Sequence, residues 1–239
     1  MPLQAQPEPN PHNPRLTPHP TTLASRLTPP CHPSPALTPR PPYPRQLQDS
    51  GLGLRAAIAL ASALPRCGLE ELWVGGNPLG PDGAKWLAQA LPQSTTLKRL
   101  WLDGTGLDDS AAGGLAAALT APRCPIEHLW LGGNALGDAG GLALAAALAD
   151  SGLADSGSSG GHLRKLWLDH SASLSSKGAA VLVKAAIGMA ADGGGGFDHL
   201  WLGGRAIGPA DARALEAIVD GKAQADLPVP RLLIDEQAA

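Results

Sequence analysis

The sequence predicts an α/β repeat fold, a solenoid in which a parallel sheet of about six short strands lines a concave face and helices form the convex side. Three observations predict it. A leucine-flanked tryptophan phrase recurs five times, with a sixth degenerate copy. Each copy is followed by a bend and an alanine-rich stretch of helical period. The 239 residues include a single Phe and a single Tyr, so repetition of leucines, not an aromatic core, must supply the buried surface.

Residues 1–48 hold 15 prolines among Thr, Ser, His and Arg. They lack the apolar content for a core and the N–H groups for regular ladders, which predicts a disordered tail, partly polyproline II. A loose motif runs through it: Arg15-Leu16-Thr17-Pro18, Arg26-Leu27-Thr28-Pro29 and Ala36-Leu37-Thr38-Pro39. Thr17, Thr28, Ser34 and Thr38 each precede proline, which suits a docking or phosphorylation tail; an unconstrained extension explains the composition equally. The Arg/Ser/Thr bias is compatible with an organellar presequence, although so much proline opposes the amphipathic helix that import requires.

Residues 49–68 read as an N-terminal capping half-repeat, because 52–64 align with the helical half of a unit alone. The repeats proper occupy 69–235. Their phrases are Leu69-Glu-Glu-Leu-Trp-Val74, Leu97-Lys-Arg-Leu-Trp-Leu102, Ile126-Glu-His-Leu-Trp-Leu131, Leu163-Arg-Lys-Leu-Trp-Leu168, Phe197-Asp-His-Leu-Trp-Leu202 and Val229-Pro-Arg-Leu-Leu-Ile234. Successive tryptophans lie 28, 29, 37 and 34 residues apart, so the short spacings define the unit and the long ones contain Gly/Ser insertions at 150–161 and 192–196. In the first full unit, apolar residues at 84, 87, 88 and 91 mark one helix face. Gly80, Asp108, Gly137, Ser175 and Gly208 stand at the expected N-caps, with Pro81 and Pro209 at the first helical position.

A strand, a bend and a long helix in 28 or 29 residues resembles the ribonuclease-inhibitor-like leucine-rich repeats, found also in NLR receptors and in activators of the small GTPase Ran. The resemblance covers about 52–234. It implies a horseshoe arc whose concave aromatic positions contact a protein partner, and, as an alternative function, regulation of a small GTPase. No catalytic residue of such an activator matches a position here. The chain departs from the family pattern at the bend asparagine, present as Asn77 and Asn134 but replaced by Thr105 and Arg205, while the fourth unit has an extra residue around 170–173. Backbone hydrogen bonds in three of five bends are thereby in question.

Alternation along the strands puts Trp73, Trp101, Trp130, Trp167 and Trp201 on the concave face, opposite the inward leucines. Glu71, Arg99, His128, Lys165, His199 and Arg231 form a second column in the same phase, and Gly75, Asp103, Gly132, Asp169, Gly203 and Asp235 a third. Glycines beside the tryptophans are expected to leave the ring faces uncovered. Tryptophan and arginine favour recognition of a protein partner, with Arg99, His128, Lys165, His199, Glu71, Asp103 and Asp169 tuning the choice. Cross-strand tryptophans also stabilise a sheet without binding anything, and both readings stand at this point. A proline-rich tail and a tryptophan groove in one chain raise an intramolecular contact between them as well.

Other chemistries find little footing. Formal charge is −3, divided as +2 over residues 1–50 and −5 over 51–239, so no basic footprint for nucleic acid or an anionic membrane is visible. His128 and His199 lie two strands apart with no nucleophile in phase, and read as solvated rim histidines. His170 beside Asp169 lacks further ligands, and the Gly193–Gly196 run lacks the Lys-Ser/Thr of a phosphate loop, so neither metal nor cofactor is expected. Cys31, Cys67 and Cys124 fit no paired framework and read as reduced thiols of a cytoplasmic, non-enzymatic protein. Trp86, on a helix, reads as packing near the cap.

Overall fold

A computed structural model of the protein describes residues 45–152, 163–171, 173–191, 197–203, 207–223 and 231–235. The tail up to residue 44 with its threonine-proline sites and Cys31, its contact with the ladder, the insertion residues 153–161 and 192–196, and Arg205 lie outside that set.

The architecture is α/β with one parallel sheet. Its strands are β1 (Arg45–Gln46), β2 (Glu71–Trp73), β3 (Arg99–Trp101), β4 (His128–Trp130), β5 (Lys165–Leu168), β6 (His199–Gly203) and β7 (Arg231–Asp235), hydrogen-bonded in chain order. Six strands carry the repeated phrase; β1 is a two-residue addition that the proline-rich surroundings had assigned to the tail. Helices α1 (Leu54–Ala63), α2 (Gly80–Ala90), α3 (Asp109–Leu119), α4 (Asp138–Gly152), α5 (Ser176–Ala191) and α6 (Pro209–Ala223) follow β1 to β6 in turn, and each packs on the next. A parallel neighbour requires such a crossover, because the chain must return to the starting edge before pairing again.

Pairing is in strict register. Leu72, Leu100, Leu129, Leu166 and Leu200 align across the sheet and are buried, as are Leu102, Leu131, Leu168 and Leu202 two residues on. They pack in one cluster with helix residues such as Leu87, Leu115, Leu148 and Leu182. Each buried leucine contributes roughly 1.5–3 kcal/mol of apolar transfer, so this seam is the main stabilising element.

After each of β1 to β5 the chain turns through one left-handed residue, at equivalent positions Asp49, Gly76, Gly104, Gly133 and His170. Glycine suits the position because it has no Cβ to clash; Asp49 and His170 accept the conformation at a cost. One residue further on sits the bend asparagine. Buried Asn77 donates from Nδ2 to the carbonyls of Leu47 and Val74, both at 2.7 Å, while its Oδ1 accepts from the amides of Ser50 and Leu52. Asn134 does the same for the preceding bend: it donates to Leu102 and Leu131 and accepts from Thr105 and Leu107. Each asparagine therefore fastens two bends, its own and the one before. Thr105 needs only a local bond, Oγ1 to the Leu102 carbonyl at 2.7 Å, because Asn134 holds its backbone. Ser171 occupies the equivalent place in the fourth unit, buried, with no hydrogen-bond partner for its hydroxyl.

Helix starts are tied in the same way. Asp108 caps α3 by accepting from the Ala111 amide, and the Ser175 hydroxyl accepts from the Lys177 amide at the start of α5. Asp109 then accepts the Gly137 amide of the next unit at 2.6 Å, and Asp138 accepts both the amide and the hydroxyl of Ser175. For α2 the helix includes Gly80 itself, so the cap falls at Leu79, one residue before the expected one.

The N-terminal region is more than the helical half-repeat expected of 49–68. The Leu47 and Asp49 amides donate to the Trp73 and Gly75 carbonyls, so strand, bend and α1 form a nearly complete unit. Trp86 lies beside the cap residues Ala61, Pro65 and Arg66, where the sequence placed it, but is 47% exposed on α2.

Candidate functional site

The tryptophans sit on the face of the sheet turned away from the leucine core. Strand register pairs Trp73 with Trp101, Trp101 with Trp130, Trp130 with Trp167 and Trp167 with Trp201. Trp101 and Trp130 stack with centroids 3.9 Å apart and planes at 11°, and Trp130 and Trp167 stack at 4.2 Å and 11°. Trp73 joins at 4.5 Å but tilts by 44°. These separations are shorter than the strand spacing of about 4.8 Å, so the rings lean together. Trp201, 37% exposed, and Leu233 at 41% continue the column on β6 and β7.

This stack corrects one expectation. Neighbouring glycines do not leave all the ring faces uncovered: both faces of Trp130 and one face each of Trp101 and Trp167 are covered by stacking. What the half-buried middle of the ladder offers to solvent is a ridge of ring edges.

The column before the ladder is predominantly basic. Register aligns Glu71, Arg99, His128, Lys165, His199 and Arg231. Arg99 ion-pairs with Glu71, while Lys165 and Arg231 make no ion pair with any described residue. His128 stands edge-on to Trp130, centroids 5.8 Å apart, and to Trp167 at 6.3 Å. It is half-buried, not a solvated rim residue. Burial first, then the Lys165 and Arg99 charges, hold its imidazole below the usual histidine range. His199 is held down likewise by burial, Lys165 and Arg231, and its buried Nδ1 has no hydrogen-bond partner.

On the other flank, Asp103 and Asp169 converge across Gly132 from strands two apart. The Gly132 amide donates to Asp103 Oδ1 at 3.1 Å. A Cβ at Gly132 would lie 2.5 Å from Asp169 Oδ1, so only glycine leaves the Asp169 carboxylate its place. Burial and then the Asp169 charge push the Asp103 carboxyl up to about 6, against the pull of the Gly132 amide. His170 Nε2 lies 3.8 Å from Asp169.

The raised value has a stability consequence. An unfolded aspartate titrates near 3.9, so the folded state holds this proton more tightly, and the stabilisation present below about pH 4 is lost as pH rises through about 6. Asp103→Asn keeps an oxygen for the Gly132 amide and removes the titration. We expect the variant to gain about 1–2 kcal/mol over the native protein at pH 8, discounted for partial solvent screening, and to match it near pH 3.5. Urea unfolding at both values checks this; an equal difference between the two proteins at both values would contradict it.

Sequence reasoning placed the three columns in phase, and the structure brings the residues of each column side by side. It missed the Asp109 and Asp138 links between helix starts, which the spacing of acids at the first helical residue could have suggested. Among the described residues no group of three or more His, Cys, Asp or Glu could hold a metal, and no helix is long and apolar enough to cross a membrane. The chain is thus an α/β protein of strand–bend–helix units with an aromatic ridge on its parallel sheet. No protein-family model matches the sequence, and no curated protein does.

Proposed function

We propose that the chain is a leucine-rich-repeat protein of the ribonuclease-inhibitor-like class, and that it serves as a non-enzymatic scaffold whose protein partner docks on the tryptophan ladder. One observation carries the reading: a register-matched ridge of tryptophans, ending in exposed Trp201 and Leu233, stands on a sheet face with charged columns on both sides. A stack that served the sheet alone would gain from burial at its ends as well. Aromatic anchors rimmed by charge are the composition of interaction hot spots.

Trp130→Ala with Trp167→Ala removes the middle of the ridge and leaves the leucine seam in place. Affinity capture of partners by this double variant is expected to drop at least about tenfold against the native chain, the effect of losing one or two hot spots, with helical circular dichroism retained. Undiminished capture by a folded variant rejects the ladder as the docking surface.

A further inference from the structure

The ridge and its basic flank together define the chemistry of an occupant. Stacking covers both faces of Trp130 and one face each of Trp101 and Trp167, and aromatic edges are electropositive, so the exposed ridge between them attracts anionic groups and not cations. Beside it Arg99, Lys165 and Arg231 carry positive charge along one line, with His128 and His199 between them, and neither Lys165 nor Arg231 forms an ion pair with a described residue. Glu71 pairs with Arg99 at the β2 end, and Glu127 and Asp198 lie near enough to act on His128 and His199.

Resting on the reading of the ladder as a docking surface, we propose that its occupant is an acidic helical segment of a partner protein, with carboxylates along one face seated on this basic column. Column residues repeat at the strand pitch of about 4.8 Å. Helix positions i, i+3 and i+4 advance about 4.5–6 Å along the axis, close to that pitch, whereas alternate residues of an extended chain advance about 6.6 Å. Asp103 and Asp169 on the opposite flank repel an acidic segment that strays across the ridge, which sets its line. The same two carboxylates disfavour a polyphosphate that spreads across the ridge.

The probe is a fluorescent, alanine-based helical peptide of about 15 residues with Glu at i, i+4, i+7 and i+11, titrated with the full chain. Saturable binding that weakens several-fold between about 50 and about 200 mM salt is expected, with none to the Lys counterpart. Lys165→Glu with Arg231→Glu should weaken the Glu peptide by about tenfold or more and create binding to the Lys peptide, a gain that loss of folding cannot mimic. Absence of binding to the Glu peptide, equal binding of both peptides, or tighter binding of an oligothymidine of similar length overturns the proposal; the last result assigns the face to nucleic acid. If the Glu peptide fails while the double-tryptophan variant still loses captured partner, the ladder remains a docking surface and only the acidic class is wrong.

Discussion

Replacing Asn134 with alanine is expected to destabilise the protein by about 3–5 kcal/mol, among the largest effects of any polar substitution in it. Its side chain donates to the Leu102, Leu131 and Gly132 carbonyls and accepts from the Thr105 and Leu107 amides. The residue is buried, so truncation leaves several backbone groups of two successive bends without water or partner, each costing about 1–3 kcal/mol, only partly recovered by relaxation. Thr105→Val removes one local bond at the equivalent place and should cost only about 1 kcal/mol. Denaturant midpoints of the two variants make the comparison, and similar losses would show that the span between bends contributes nothing extra.

The second large effect is expected from Gly140→Val, at the start of α4. A Cβ there would meet Asp109 Oδ1 at 2.7 Å, the Ala112 Cβ at 3.1 Å and the Asp109 Cα at 3.4 Å. Asp109 cannot swing aside freely, because its Oδ1 also accepts the Gly137 amide. Glycine inside a helix normally costs up to about 1 kcal/mol against alanine, so a substitution judged by propensity alone would stabilise. The branched side chain must instead force α3 and α4 apart, for a net loss of about 2–3 kcal/mol. Thermal unfolding of Gly140→Val beside Gly113→Ala, where a Cβ meets nothing within 4 Å, separates helix contact from helix propensity.

Both predictions concern links between consecutive units, and these links were the least legible in the sequence. Thr105, Arg205 and the extra residue around 170–173 appear in the sequence as three doubtful bends. The structure shows why the Thr105 bend is nonetheless satisfied: Asn134, 29 residues on, reaches back to it. Such a bond joins residues that are neighbours only once two strands have paired, so no local pattern announces it. For Asp109 and Asp138 the spacing of acids at the first helical residue hints at a role, but their acceptance across units likewise becomes visible only once the units stack.

The candidate site divides in the same way. That Trp73, Trp101, Trp130, Trp167 and Trp201 share a face followed from the two-residue period of a strand and the common phase of the phrases. That the rings in the middle turn face to face, leaving edges outward, depends on side-chain torsions and mutual attraction, which periodicity does not encode. The elevated Asp103 carboxyl likewise needed Gly132 between two acids that are 66 positions apart in the chain.

By itself, then, the order of residues determined the α/β class, the parallel strands at the LW phrases and the three in-phase columns, because period and repetition are properties of the chain. Tertiary structure alone decided that Arg45–Gln46 joins the sheet, that each bend asparagine serves two units, and that the middle of the ladder stacks face to face beside a column in which Arg99 is paired with Glu71. The physical reason is distance: these interactions form between groups that only the stacking of one unit on the next brings within a few ångströms.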